Sequence, residues 1–160
     1  MLVHFLYAFS LVIVTVFIHA VGFAALIRVI VRSHALAATE FWPVTWLVIS
    51  LTCWLILVHM TEISVWALFY SWQGCLPDAE SSFYFSGVTY TTVGYGDLVL
   101  SKPWRILASR EGLTGILMCG LSTGLFFAIV NRWVANWVKL RSPAELEPPS
   151  ETSSANPSKK

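Results

Sequence analysis

An all-α membrane protein is the fold class this sequence predicts: three transmembrane helices, with a short re-entrant helix and an irregular loop between the second and third. Three observations predict it. Of 160 residues, 56% are hydrophobic and only 12% charged, about half the roughly 25% charged share of a typical soluble domain. No Asp, Glu, Lys or Arg occurs from Met1 to Ile27, from Phe41 to Thr61 or from Gly112 to Asn131, and apolar stretches of about 18 residues or more read as transmembrane helices. Turn residues and glycines cut the chain between the second and third of these stretches. A soluble enzyme, a nucleic-acid binder and a disulfide-stapled secreted domain are thereby excluded. The net charge of +1 offers no basic surface for nucleic acid. Three spans cannot enclose a wide aqueous path alone, so a transport function requires several copies.

The first apolar block runs from about Leu2 to Val31. It lacks the basic start and the short apolar core of a signal peptide, so it is expected to be a retained transmembrane helix. The connector Arg28 to Phe41 carries Arg28, Arg32, His34 and Glu40. Pro43 suits the first turn of the next helix, and the second block extends from about Val44 to Trp72. Gln73-Gly74-Cys75-Leu76-Pro77-Asp78 ends it with turn residues. Ala79 to Thr91 reads as a helix too short to span, and the Gly-rich run Thr92 to Asp97 follows. Pro103 is expected to open the last helix, which continues to about Leu140. At about 1.5 Å per residue it is roughly 57 Å long, well beyond a hydrocarbon core of about 30 Å. Residues 1–43 thus form a first helix and connector, 44–140 a central module, and 141–160 a Pro-, Ser- and Glu-rich tail expected to be disordered.

Orientation follows from the positive-inside rule. Arg28 and Arg32 follow the first span, and Arg132, Lys139 and Arg141 follow the third. Three spans put these two groups on the same side, which is expected to be the cytoplasm, with the N-terminus outside and the cell membrane as the location. Asp78, Glu80 and Asp97 then face outward. Trp42, Trp46, Trp133 and Trp137 fit an inner interfacial belt, and Trp66, Trp72 and Trp104 an outer one, while Trp54 falls mid-span as ordinary packing.

The most specific feature is Tyr90-Thr91-Thr92-Val93-Gly94-Tyr95-Gly96-Asp97. A cation crossing a narrow pore must replace its water, and backbone carbonyls that point inward serve. Successive carbonyls point the same way only where alternate residues take left-handed or similar dihedrals, which glycine supplies without steric cost. Gly94 and Gly96 stand at that alternation. The carbonyls of Thr92, Val93, Gly94 and Tyr95, with the Thr92 hydroxyl, are the expected ion sites, and the side chains of Val93 and Tyr95 turn away and pack behind. A short helix ending at Thr91 aims its partly negative carbonyl end at the same place.

This run resembles the selectivity filter of potassium channels, TVGYG. The resemblance covers about Val44 to Leu140: an apolar helix, a pore helix that includes Tyr84-Phe85-Ser86-Gly87-Val88-Thr89-Tyr90, the filter, and a long inner helix. The first span is extra relative to the two-helix pore module. The resemblance implies passive, selective conduction of potassium, with K+ as permeant ion, no cofactor, no catalysis and no small-molecule substrate. One filter segment per chain implies a homotetramer in the lipid bilayer. Two other readings stay open: a pore-forming or accessory subunit of a hetero-oligomeric channel, and part of a potassium-uptake system.

By the same resemblance Asp97, at the outer mouth, pairs with an aromatic residue of the pore helix, here Tyr84; otherwise it is a solvated charge. Gly115 and Gly120 are the candidates for a gating hinge on the inner helix, and close helix packing through small residues is the alternative. Glu62 and Arg110 lie within spans, where ionisable groups are costly and usually paired. An ion pair between them is expected, with Arg105 as alternative partner and a snorkelling Arg110 as the other outcome. Cys53 and Cys119 are expected to be apolar fillers, and Cys75 a free thiol or an intersubunit bridge. His4, His19, His34 and His59 show no metal-site spacing. Arg28 and Arg32 are too few for a voltage sensor.

Overall fold

The computed structural model describes residues 2–32 and 41–141. The connector residues 33–40, with His34 and Glu40, and the tail from residue 142 onward lie outside the described residues. Among the described residues there are four helices: α1 (Leu2–Arg32), α2 (Phe41–Trp72), α3 (Ala79–Tyr90) and α4 (Arg105–Arg141). Three of them are long and apolar enough to cross a membrane, over Phe5–Arg32, Trp42–Trp72 and Arg105–Val138. Helix α2 starts three residues earlier than the sequence suggests, which leaves Pro43 in its first turn, where a missing N–H costs nothing. Helix α4 starts two residues later than Pro103. A turn closed by the Trp104 N–H donating to the Ser101 carbonyl at 2.9 Å precedes it.

The three long helices pack antiparallel in chain order. At one end Ala8 and Leu11 of α1 share a buried cluster with Trp66, Phe69 and Tyr70 of α2 and Leu107 of α4. At the other end Leu26 and Ile30 meet Leu51 and Leu55, with Leu125, Phe126 and Ile129 against them. Helix α1 therefore lies along the whole of α2 and is an integral wall of the bundle. Its close approach has a cause at Gly22: a Cβ there would press on Val58 at 2.6 Å. The Gly22 carbonyl accepts the Trp54 indole N–H at 3.0 Å.

Trp66 departs from the interfacial role its position suggests. It is wholly buried, and its indole N–H donates to Thr15 Oγ1 at 3.0 Å. A Trp near a helix end goes inside when a neighbouring helix offers an acceptor for its N–H. Cys53 and Cys119 are exposed on the bundle's outer surface and so do not fill its interior, and Cys75 makes no disulfide within the chain.

Candidate functional site

Helix α3 is 12 residues long, about 18 Å, and cannot span a bilayer. Asp78 starts it: its carboxylate accepts from the Ser81 N–H at 2.7 Å and from the Ser81 hydroxyl at 3.1 Å. Hydrogen bonds at the helix start hold the exposed Asp78 carboxyl below the usual carboxylate range, the one from the Ser81 N–H foremost. The helix then descends into the bundle. Phe85 packs on Tyr70 near one end. The next residue, Ser86, reaches the Ile63 carbonyl and Glu111. Tyr90, at the helix's last position, is buried among Ile63 and Met118 halfway down the bundle.

The chain then reverses. Thr91, Thr92 and Gly94 are tied back by their N–H groups to the carbonyls of Gly87, Thr89 and Val88, at 3.0–3.1 Å. By Leu100 it has regained the end it left, in one buried cluster with Tyr70, Phe85 and Leu107. This is a re-entrant loop: a helix in, an irregular segment out.

Positive φ falls on alternate residues of that segment: Thr92 (61°), Gly94 (51°) and Gly96 (81°). The glycines stand where the sequence requires them. Thr92 adopts the same left-handed region with a Cβ, a position uncommon for a non-glycine residue. Every residue from Thr91 to Asp97 is exposed in the single chain, Val93 at 52% and Tyr95 at 73%. Within one chain, therefore, nothing covers Val93 and Tyr95. Behind the segment a groove of about 560 Å³ opens between α3 and α4, lined by Phe85, Val88, Thr92, Leu100 and Leu113 among others.

Tyr84 and Asp97 come together: the phenol donates to Asp97 Oδ2 at 2.9 Å. That bond raises the exposed Tyr84 hydroxyl above the usual phenol range, because it holds the proton against a carboxylate. Gly115 and Gly120 differ. A Cβ on Gly115 would fall onto the Tyr90 carbonyl, so this glycine lets α4 touch the end of α3, whereas Gly120 faces open space.

Glu62 and Arg110 do not meet. The α2–α4 register sets Tyr70 against Glu111 and His59 against Ser122. Glu62 consequently lies about nine residues deeper than Arg110, about 13 Å along the axis. Glu62 pairs instead with His19 (2.7 Å) and His59 (3.3 Å), and the Tyr90 hydroxyl donates to it. Arg110 lies over the Phe5 ring at 4.5 Å, and Arg105 donates to the Leu100 carbonyl at 3.2 Å. Sequence reasoning missed His19, His59, Tyr90 and Ser122 as one polar group. The available signal was His59 and Glu62, three apart on one helix face. His19 joins them only through the packing of α1.

Three membrane-length helices with a re-entrant helix and loop inserted between the last two define a multi-pass membrane protein of the pore-loop class. Comparison with protein families matches residues 11–132 to a family described as ion channel, and the chain belongs to that family. Neither the curated proteins nor the solved structures compared with it gave a match.

Proposed function

We propose that this ion channel conducts potassium selectively and passively, as a homotetramer, through backbone carbonyls of Thr92, Val93, Gly94 and Tyr95. The alternation of left-handed dihedrals at Thr92, Gly94 and Gly96 carries the reading. It is the backbone pattern that lets consecutive carbonyls face one axis, and a stack of such carbonyls replaces the hydration shell of a potassium ion. Gly96 closes this segment below the outer mouth. The C-terminal end of α3 points its partial negative charge toward the same region and favours a cation there.

The fourfold assembly has a physical requirement behind it. Irregular backbone at membrane depth is tolerated only when it is buried in protein or lines water. In one chain the whole segment from Thr91 to Asp97 is bare. Neighbouring copies supply the missing cover: one side of the strand faces the ion path, and Val93 and Tyr95 pack against the adjacent subunit. Residues 44–140 act as the pore module, with α1 as an added outer wall. The N-terminus and the Asp97 mouth face outward, and Arg132 lies on the cytoplasmic side of the cell membrane. The Tyr84–Asp97 bond braces the mouth, and Gly120, free of contacts, is the hinge of α4. The cycle involves no catalysis, and K+ is cargo.

The test is potassium efflux from liposomes holding the purified full chain and no energy source. Efflux is expected, and it is expected to vanish with Gly94→Ala, since a Cβ at φ 51° disturbs the carbonyl alternation. Efflux that needs a second protein, or that persists unchanged in Gly94→Ala, would contradict the proposal.

A further inference from the structure

Helix packing brings two histidines far apart in sequence to one carboxylate. His19 of α1, with His59 and Glu62 of α2, places donor atoms within 4.8 Å of one another. His19 Nδ1 is 2.7 Å from Glu62 Oε1, and His59 Nδ1 is 3.3 Å from Oε2. The Tyr90 oxygen is 3.0 Å from His59 Nδ1 and bonds to Glu62 as well. Two imidazole nitrogens, a carboxylate and a phenol oxygen thus converge in the middle of the bundle, with His19 and Glu62 buried.

The far side of the two rings adds an independent constraint. The Nε2 atoms of His59 and His19 lie 3.0 and 3.5 Å from the single Ser122 hydroxyl oxygen. That oxygen has lone pairs for two N–H donors. In the tautomer pair where both Nε2 atoms donate to it, both Nδ1 atoms present lone pairs to Glu62; in the other, the Nδ1–H groups donate to the carboxylate. The first is how outer hydrogen bonds usually set histidine tautomers around a metal. A cation placed among these groups would take both Nδ1 lone pairs and the charge of the buried carboxylate. Among the described residues the ion pairs of Glu62 are with the two histidines, and Arg105 and Arg110 are engaged elsewhere. Donor separations of 2.7–3.3 Å are hydrogen-bond lengths; a four-coordinate ion with bonds of about 2.0–2.1 Å sets neighbouring ligands roughly 3.3–3.4 Å apart, so binding spreads the donors slightly.

We propose that His19, His59 and Glu62, with the Tyr90 hydroxyl as fourth ligand, bind one divalent first-row transition-metal ion per chain. A four-coordinate set of imidazole and oxygen ligands suits zinc best. The ion ties α1 and α2 to the last residue of α3, two positions before Thr92. Any effect on conduction rests on the channel reading above, but binding does not, so the test below can fail or succeed independently of ion flux.

The full chain, purified without a histidine tag, is dialysed against Zn2+ or Co2+ and passed over a desalting column. Elemental analysis is expected to find one ion per chain, lost in His59→Gln and in His19→Gln. If either variant fails to fold, the cobalt-loaded wild type still decides the matter: it is expected to show the intense visible bands of tetrahedral Co2+, abolished by excess Zn2+. A wild type that retains no metal, as a cluster holding only protons would, overturns the proposal. So do equal metal contents in wild type and folded variants, or a six-coordinate cobalt spectrum.

Discussion

At Gly115 a single hydrogen in place of a side chain sets how closely α4 approaches the pore helix. Gly115→Ala drives a Cβ onto the Tyr90 carbonyl, a fixed backbone atom that cannot rotate away. Overpacking of this kind costs about 1–3 kcal/mol, and the thermal unfolding midpoint of the purified protein is expected to fall. Gly120→Ala meets nothing in the chain and is expected to hold or raise that midpoint, since Ala favours a helix interior over Gly, while reducing the open fraction. Equal midpoints for the two variants would contradict the division of roles. Tyr84→Phe removes the phenol donor from Asp97. The expected result is faster decay of potassium current at low external potassium with assembly intact, and the same decay in Asp97→Ala. The left-handed backbone at Gly94 and Gly96 was legible in the sequence because the requirement is local: glycine is favoured where φ is positive. The partners of Glu62 were not legible, because they depend on how α2 is set against its neighbours, and no spacing within one helix encodes that register.

Among the elements, α3 depends most on its first residue. Asp78 accepts the Ser81 N–H, and that bond holds its carboxyl low. The folded pKa lies below the unfolded one, so the cap's contribution is present above the ordinary carboxylate range and is lost as pH falls through the depressed value. Amide protection at Ser81 and Ser82, relative to the intrinsic exchange rate at each pH, is expected to fall in Asp78→Ala and in wild type at strongly acidic pH, but not in Asp78→Asn at neutral pH, since the Asn side chain still accepts. Protection insensitive to both changes would deny the cap. Helix α1, in turn, was legible as a span but not as a structural wall. Thr15→Val tests the wall role: it leaves the Trp66 N–H buried without its acceptor, at a cost of about 1–3 kcal/mol. Unchanged thermal stability of that variant would show α1 to be an appendage. Trp66 itself was misplaced at the interface because a sequence shows its depth in the span but not which side of the helix α1 covers.

For the whole molecule, the described residues present three membrane-length helices and one exposed irregular segment. The bundle satisfies its own polar groups, with no buried side-chain nitrogen or oxygen lacking a partner among the described residues. The segment from Thr91 to Asp97 is exposed throughout. Composition alone is enough to predict the three membrane-length helices. The central claim is that the bare segments of four copies face one another and pass potassium in preference to sodium. The most direct measurement is the reversal potential of the purified wild-type channel in a planar bilayer, with potassium salt on one side and sodium salt on the other. A potential displaced strongly in the sense of potassium leaving its compartment is predicted. A reversal potential near zero would mean that the filter does not distinguish the two ions, and would contradict the account.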